Sequence, residues 1–233
     1  MLFSLSREKF EEIVPLIATG AQYIYYWGKV RDILRRVLIS VVGVVVVLLL
    51  GKLFGEGVDA IVLLLGVIAG LYWFWSPIYV ASRRNAEYRR YQYSGFLRGR
   101  VLDVFVSEES LGEEETVNKR GELVIVENLE RRINLEIGDE TGFRTFVQAP
   151  LRRIHKSIKP GQVAELLVLS NVPDLSRIDR VTDAYLPSNN LWVGEYPILR
   201  RDIFALLSSQ IGYDDPYSRR RDRRPNYPTP RRR

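Results

Sequence analysis

The chain has 233 residues, 46% of them hydrophobic and 27% charged, with a mean hydropathy of −0.09; that length holds one large or two modest domains. It has no cysteine and one histidine, which excludes disulfide frameworks, thiol nucleophiles and cysteine metal sites. Its net charge is +6, and the segment Tyr213–Arg233, with eight arginines against three aspartates, carries most of it.

The opening stretch MLFSLSREKFEEIVPL mixes acids with bases and lacks a long apolar run, so it does not read as a cleaved secretory signal. Residues 1–36 are read as an amphipathic, interfacial segment. Two apolar runs follow. Val37–Gly51 is uncharged and resumes past Lys52, and Ala60–Ser82 is uncharged throughout. A helix needs roughly 20 mostly apolar residues to cross a bilayer core, and soluble helices carry a polar stripe that these runs lack. Residues 37–95 therefore read as a transmembrane helical hairpin whose second helix extends beyond the bilayer. Pro77 is expected to kink that helix. Gly66 and Gly70 form a GxxxG pair that lets helices approach closely.

Charge and aromatics orient the hairpin. Lys29, Arg31, Arg35 and Arg36 precede the first run, and Arg83, Arg84, Arg89 and Arg90 follow the second. Positive residues are retained on the cytoplasmic side, so both termini are expected there, in the cytosol or the stroma. Trp27, Trp73, Trp75 and Tyr79 bracket the runs, as rings with one polar edge do at the headgroup layer. With Arg35, Arg36, Arg83 and Arg84 they form the expected membrane interface.

After Gly95 the period shortens to two. LRGRVLDVFVSEE, GELVIVENLE, RINLEIGDE, GFRTFVQAP and QVAELLVLS read as closely spaced strands, with a short helical turn at LRRIHKSI. Residues 96–212 are expected to form a small antiparallel β-barrel of the OB or SH3-like kind, closed by a helix starting at Pro197. The fold class is α+β, an integral membrane hairpin followed by a barrel.

Chemistry is sparse. His155 sits among Arg152, Arg153 and Lys156 and reads as a solvated surface residue, since metal and acid–base sites need companions. Ser107–Glu115 (SEESLGEEE) has consecutive rather than ligand-spaced glutamates and reads as a solvated loop. Phosphate, dinucleotide and nucleophile-elbow motifs are missing. Phe105, Phe143 and Phe146 lie in strand patterns and read as core, which argues against nucleic-acid binding through exposed aromatics. No catalytic, cofactor or metal residue is assigned. The low-complexity tail, residues 213–233, is expected to be disordered. Its Arg219, Arg220, Arg221, Arg223 and Arg224 suit anionic lipid headgroups or an acidic partner.

Pro15–Gly20 (PLIATG), with Gln22, Tyr23, Tyr26, Trp27 and Gly28, and Leu191–Pro197 (LWVGEYP), in the order hairpin, barrel, tail, give a resemblance. The pattern over about residues 3 to 210 resembles a membrane family of cyanobacteria and plastids, some of whose members carry the label phosphate ABC transporter permease. The resemblance implies a photosynthetic host and a thylakoid or plasma membrane location. The permease label fits poorly, because transporters build their central site from more helices than two. The reading is a non-enzymatic membrane anchor, scaffold or assembly factor for a membrane complex, with lipids and a protein as partners. An accessory transporter subunit and an enzyme with an unrecognised site are the alternatives.

Overall fold

A computed structural model of the chain describes residues 1–54, 57–117 and 123–214. In chain order the elements are β1 (Leu2–Leu5), α1 (Arg7–Ile13), α2 (Gly20–Trp27), α3 (Val30–Phe54), α4 (Asp59–Gly70), α5 (Tyr72–Arg89), β2 (Tyr93–Val117), β3 (Leu123–Gly138) and β4 (Arg144–Pro150). A 3-10 turn (Arg153–Ser157), β5 (Val163–Ser170), β6 (Arg180–Val181), β7 (Ala184–Leu186), β8 (Leu191–Val193) and α6 (Arg201–Asp214) complete it. The fold is α+β: helices first, then an antiparallel sheet.

The sheet is not the expected barrel. Its path runs β4-β3-β2-β5-β7-β8, with β1 paired to β2 and β6 to β5. β4 and β8 end that path; they approach each other, but no ladder joins them. Closure requires strands long enough to pair along the whole seam. β8 has three residues, β7 three and β6 two, so the seam is bridged by side chains instead, Arg132 Nη2 meeting Glu195 Oε2 at 3.2 Å.

Both faces of the sheet bury core. Leu97, Val101, Leu135, Leu166 and Val193 face inward within the half-closed curl. Phe96, Leu167 and Leu169, on the alternate positions, face a second core with Phe10, Ile13, Ile198 and Phe204. Phe96 and Phe204 stack with ring centroids 5.3 Å apart, which fixes α6 against the sheet. α6 starts at Arg201, not Pro197, because Ile198 and Leu199 are drawn into that core ahead of the helix.

Within residues 1–36, β1 and α1 pack onto the sheet. Leu2–Leu5 pairs with Ser94–Leu97, and Phe10, Ile13 and Val14 are buried. Ser6 caps α1 by accepting Lys9 N. Arg7 donates to the carbonyls of Arg89 and Tyr91 at 2.8 and 2.7 Å. A guanidinium thus satisfies carbonyls at the C-terminal end of α5.

β2 and β3 pair from Arg100↔Gly138 out to Val117↔Leu123, whereas β4 pairs only with residues 132–138 of β3. Beyond Arg131 the hairpin continues as a two-stranded arm. Ser107–Glu115, expected as a loop, is therefore strand. The partner strand opens on the β-branched run LVIV, a strand signal, and two acids find bases across the ladder, Glu108 with Arg131 and Glu109 with Arg132.

α3 is the one described helix long and apolar enough to cross a membrane, and only 6% of its apolar window is buried. The second apolar run is not one straight helix. α4 and α5 meet at 71° around Leu71, six positions before the expected kink; α5 continues through Pro77. The break releases backbone groups, and side chains receive them. Trp73 N donates to Ser40 Oγ on α3 at 3.1 Å, and the Trp75 indole donates to Ile68 O at 2.9 Å. Ser40 is the one buried residue of α3. α3 and α4 come closest at Gly51 and Gly43, and of the expected pair only Gly70 lies against α3. A Cβ on Gly51 would lie 2.8 Å from Val62, and one on Gly43 would lie 3.3 Å from Ala69. Gly70 lies against Val44 at an ordinary 3.4 Å, and Gly66 has open space.

Candidate functional site

The joint between the helices and the sheet is the most constructed polar region of the molecule. Thr19 caps α2 and forms a reciprocal capping box with Gln22, which fixes the Gln22 side chain toward α5. There Gln22 Nε2 donates to Asn85 Oδ1 at 3.0 Å and Asn85 Nδ2 returns a bond to Gln22 Oε1 at 2.8 Å. Gln22 Nε2 also reaches the carbonyls of Pro197 and Ile198, at 3.0 and 3.2 Å. The Tyr196 hydroxyl donates to Asn85 Oδ1 at 3.4 Å. Both amides are fully buried. Three distant segments, α2, α5 and the strand exit after β8, are therefore tied at one point.

Arginines and aromatics surround this tie. The Arg84 guanidinium lies 4.2 Å from the Tyr196 ring centroid and donates to the Tyr26 hydroxyl at 3.3 Å. Arg36 donates to Trp27 O at 3.2 Å and to Tyr26 O, closing the end of α2. Trp27 and Trp73 pack edge to face at 5.9 Å, and Trp75 meets Tyr79 at 6.2 Å. Of the residues expected at a headgroup layer, Arg36, Arg84, Trp27 and Trp73 are engaged with the protein itself. Arg35, Arg83 and Tyr79 are exposed. Arg219, Arg220, Arg221, Arg223 and Arg224 lie outside the described residues.

Beside the tie, the open seam leaves a cavity of about 310 Å³ between α2, the end of β4, the 3-10 turn, the β8 exit and α6. Its floor holds Asp183, 5% exposed. Asp183 Oδ1 accepts from Leu199 N at 3.4 Å, while Oδ2 has no hydrogen-bond partner. Burial pushes this carboxyl up to about 7, against the pull of Arg201. Gly194 is required above it, since a Cβ there would come within 2.4 Å of Asp183 Cβ. His155 lines the same cavity and is 4% exposed, so it is not the solvated residue its basic neighbours suggest. Its Nδ1 accepts Arg152 N at 3.2 Å, which leaves the proton on Nε2. Burial and Arg152 hold its pKa below the usual histidine range.

No hydrogen bond joins His155 to Asp183, so the two do not form an acid–base relay as they stand. No group of three or more potential metal ligands occurs among the described residues. The cavity lining mixes signs, with Arg152 and Arg201 beside the carboxylates of Asp183 and Glu195. Elsewhere, Phe105 and Phe146 are 44% and 58% exposed, not core, whereas Phe143 packs partly buried against the inner cluster.

The chain matches a family of unknown function, DUF8619, over residues 3–220. It belongs to that family. The DUF8619 match spans both stretches that gave the resemblance, Pro15–Gly28 and Leu191–Pro197, and these are the segments that meet at Gln22 and Pro197. The match brings no activity with it. Neither the curated proteins nor the solved structures give a match. Asn85 and Asp183 were not visible as functional candidates in the sequence. Gln22 entered only among the residues that carry the resemblance.

Proposed function

We propose that this DUF8619 member is a non-enzymatic, membrane-anchored scaffold that holds its sheet in a fixed stance against the bilayer for a partner in a membrane complex. The observation that carries this reading is the Gln22–Asn85–Pro197 tie, which couples the helix leaving the apolar hairpin directly to the sheet. A flexible tether would need no such buried junction.

Anchoring is supported by α3, whose apolar surface is almost wholly unburied; the core helix of a soluble protein would be covered. β1 and Phe10 precede α3 in sequence yet pack with β2 and α6 beyond it, which favours a retained anchor over a removable leader. The same β1–β2 pairing supports a topology with both flanks of the hairpin on one side. The exposed Arg35 and Arg83 favour the cytosolic or stromal side. The α4–α5 pair serves as a broken second span, its freed backbone groups met by Ser40 and Trp75, as irregular backbone within a bilayer requires. The resemblance favours a thylakoid or plasma membrane of a photosynthetic host.

Affinity purification from native membranes in mild detergent, followed by native gels, tests the scaffold. The wild-type chain is expected to migrate in a complex larger than itself. A Gln22→Ala/Asn85→Ala variant is expected to stay in membranes with that complex depleted. A chain that migrates alone, with membrane complexes unchanged on its deletion, overturns the reading. Transport proteins in the complex would make it an accessory transporter subunit.

A further inference from the structure

Helix α5 has two unlike faces. We propose that its outer face, from Tyr72 to Arg83, lies along the headgroup layer of the leaflet beside the polar body, a second membrane contact next to the hairpin. This rests on the membrane-anchored reading above and adds to it: α5 completes the broken span at the bilayer boundary and then runs along that boundary instead of leaving it.

The inner face is taken by the protein. Pro77, Ala81, Asn85 and Tyr88 are buried, and their spacing puts them on one stripe of the helix. Asn85 meets Gln22 of α2, and Tyr88 joins the core that holds Phe96 and Phe204. The outer face is aromatic. Tyr72, Trp75 and Tyr79 follow one another along it, with ring centroids 5.3 and 6.2 Å apart. Tyr79 is 58% exposed and Val80 43%, and the exposed Arg83 stands one turn further on. Tyrosine and tryptophan rings favour the headgroup layer. An arginine at its rim keeps its stem on apolar surface and its charge among phosphates and water.

Position decides for a bilayer over a protein partner. Trp73 N bonds Ser40 Oγ, so the bend at Leu71 is level with Ser40, one turn past Arg36 and about 6 Å along α3. Arg36 is itself held by the carbonyls of Tyr26 and Trp27. The bend therefore stands where charge gives way to the uncharged run of α3, at the boundary of the bilayer core. There the chain turns by 71°. A straight continuation would carry Tyr79 about 12 Å beyond Leu71, into water. After the turn each residue of α5 advances only about 0.5 Å along the axis of α4, a third of the helical rise. Tyr79 and Val80 thus stay at the boundary. The first acid after Asp59 is Glu87, two turns past Tyr79, so no carboxylate is carried into the contact. α4, with 12 residues, is about 18 Å long against a core of about 30 Å, and the leaflet thins to meet α5.

The experiment uses the full chain, which has no native cysteine, in vesicles of phosphatidylcholine with a minor share of phosphatidylglycerol. Single cysteines carry a nitroxide whose depth is read from collisions with oxygen against a water-soluble nickel chelate. Ile61→Cys, Leu64→Cys and Ile68→Cys report α4, and Tyr79→Cys, Arg83→Cys and Glu87→Cys report α5; all six positions are exposed. Depth is expected to change by about 1.5 Å per residue along α4 and by about 0.5 Å per residue along α5. Tyr79 and Glu87 should then differ by about 4 Å, where a straight helix would separate them by about 12 Å. One slope through both helices overturns the proposal. Nitroxides at Tyr79 and Arg83 that meet the nickel chelate freely and lipid-borne oxygen poorly also overturn it, and leave that face to water or to a protein. Val41→Cys and Leu48→Cys, on the exposed surface of α3, test the reading beneath it. Absence of lipid contact at those two positions strikes the membrane anchor itself, whereas lipid contact there with none on α5 strikes the in-plane helix alone.

Discussion

Gln22 and Asn85 exchange hydrogen bonds in both directions across 63 positions of sequence, and neither exposes any surface. Such a pair is costly to break from one side only. Asn85→Leu strands the Gln22 amide and is expected to lower stability by about 2–3 kcal/mol. The double change Gln22→Leu/Asn85→Leu should lose less than the sum of the singles. Denaturant titration in detergent measures both, and strict additivity would show that the two amides act independently.

Asp183 sets a pH dependence. Its folded pKa, about 7, lies above the ordinary value of 3.8, so the folded state holds the proton more tightly than the unfolded chain. The stability this group contributes is fully present below about pH 4 and is lost as pH rises through 7. Asp183→Asn is expected to be more stable than wild type at pH 8, on the order of a few kcal/mol, with the gap closing toward pH 4. Melting curves across that range test it. A gap that widens on acidification would contradict the sign.

Helix packing in the hairpin predicts an asymmetry among glycines. Gly51→Leu drives a side chain into Val62, which already stands 2.8 Å from the Cβ position, and is expected to cost about 1–3 kcal/mol. Gly66→Leu enters open space and should be nearly silent. Thermal stability of the two variants in the same detergent is the comparison; equal losses would mean that Gly66 packs on something other than α3.

The native chain lacks cysteine, so single cysteines report topology directly. Cysteines at Glu8 and Glu140 are expected to label from the same side in sealed vesicles. One at Gly57, in the turn between α3 and α4, should label from the other. Labelling of Gly57 from the side of Glu8 would make the α3–α4 pair a re-entrant loop.

What the sequence disclosed follows from how local each cause is. α3 was legible because a long uncharged run is a property of its own residues. The break at Leu71 was not, since its released amide depends on Ser40, a residue of the preceding helix. Strands β2 to β5 showed through their alternation, yet the open seam depends on β8 being three residues long and followed by a core-seeking Ile198. β1 was hidden because LFSL has no alternation of its own and its partner lies past the hairpin. At the site, Gln22 showed only through the resemblance, because its partners Asn85 and Pro197 lie 63 and 175 positions away. The burial of His155 and Asp183 comes from α2 and the β8 exit folding over them.

The pairing of Leu2 with Leu97 also sets an order of events during synthesis. The first strand leaves the ribosome without a partner, and at about 5–20 residues per second its partner follows roughly 5–20 s later. In that interval the whole apolar hairpin emerges. The β1–β2 ladder can therefore form only after the whole hairpin has been synthesised, whereas β2 to β5 can pair without it. A chain stopped within the hairpin would keep β1 without its partner strand and Phe10 without the core it packs in.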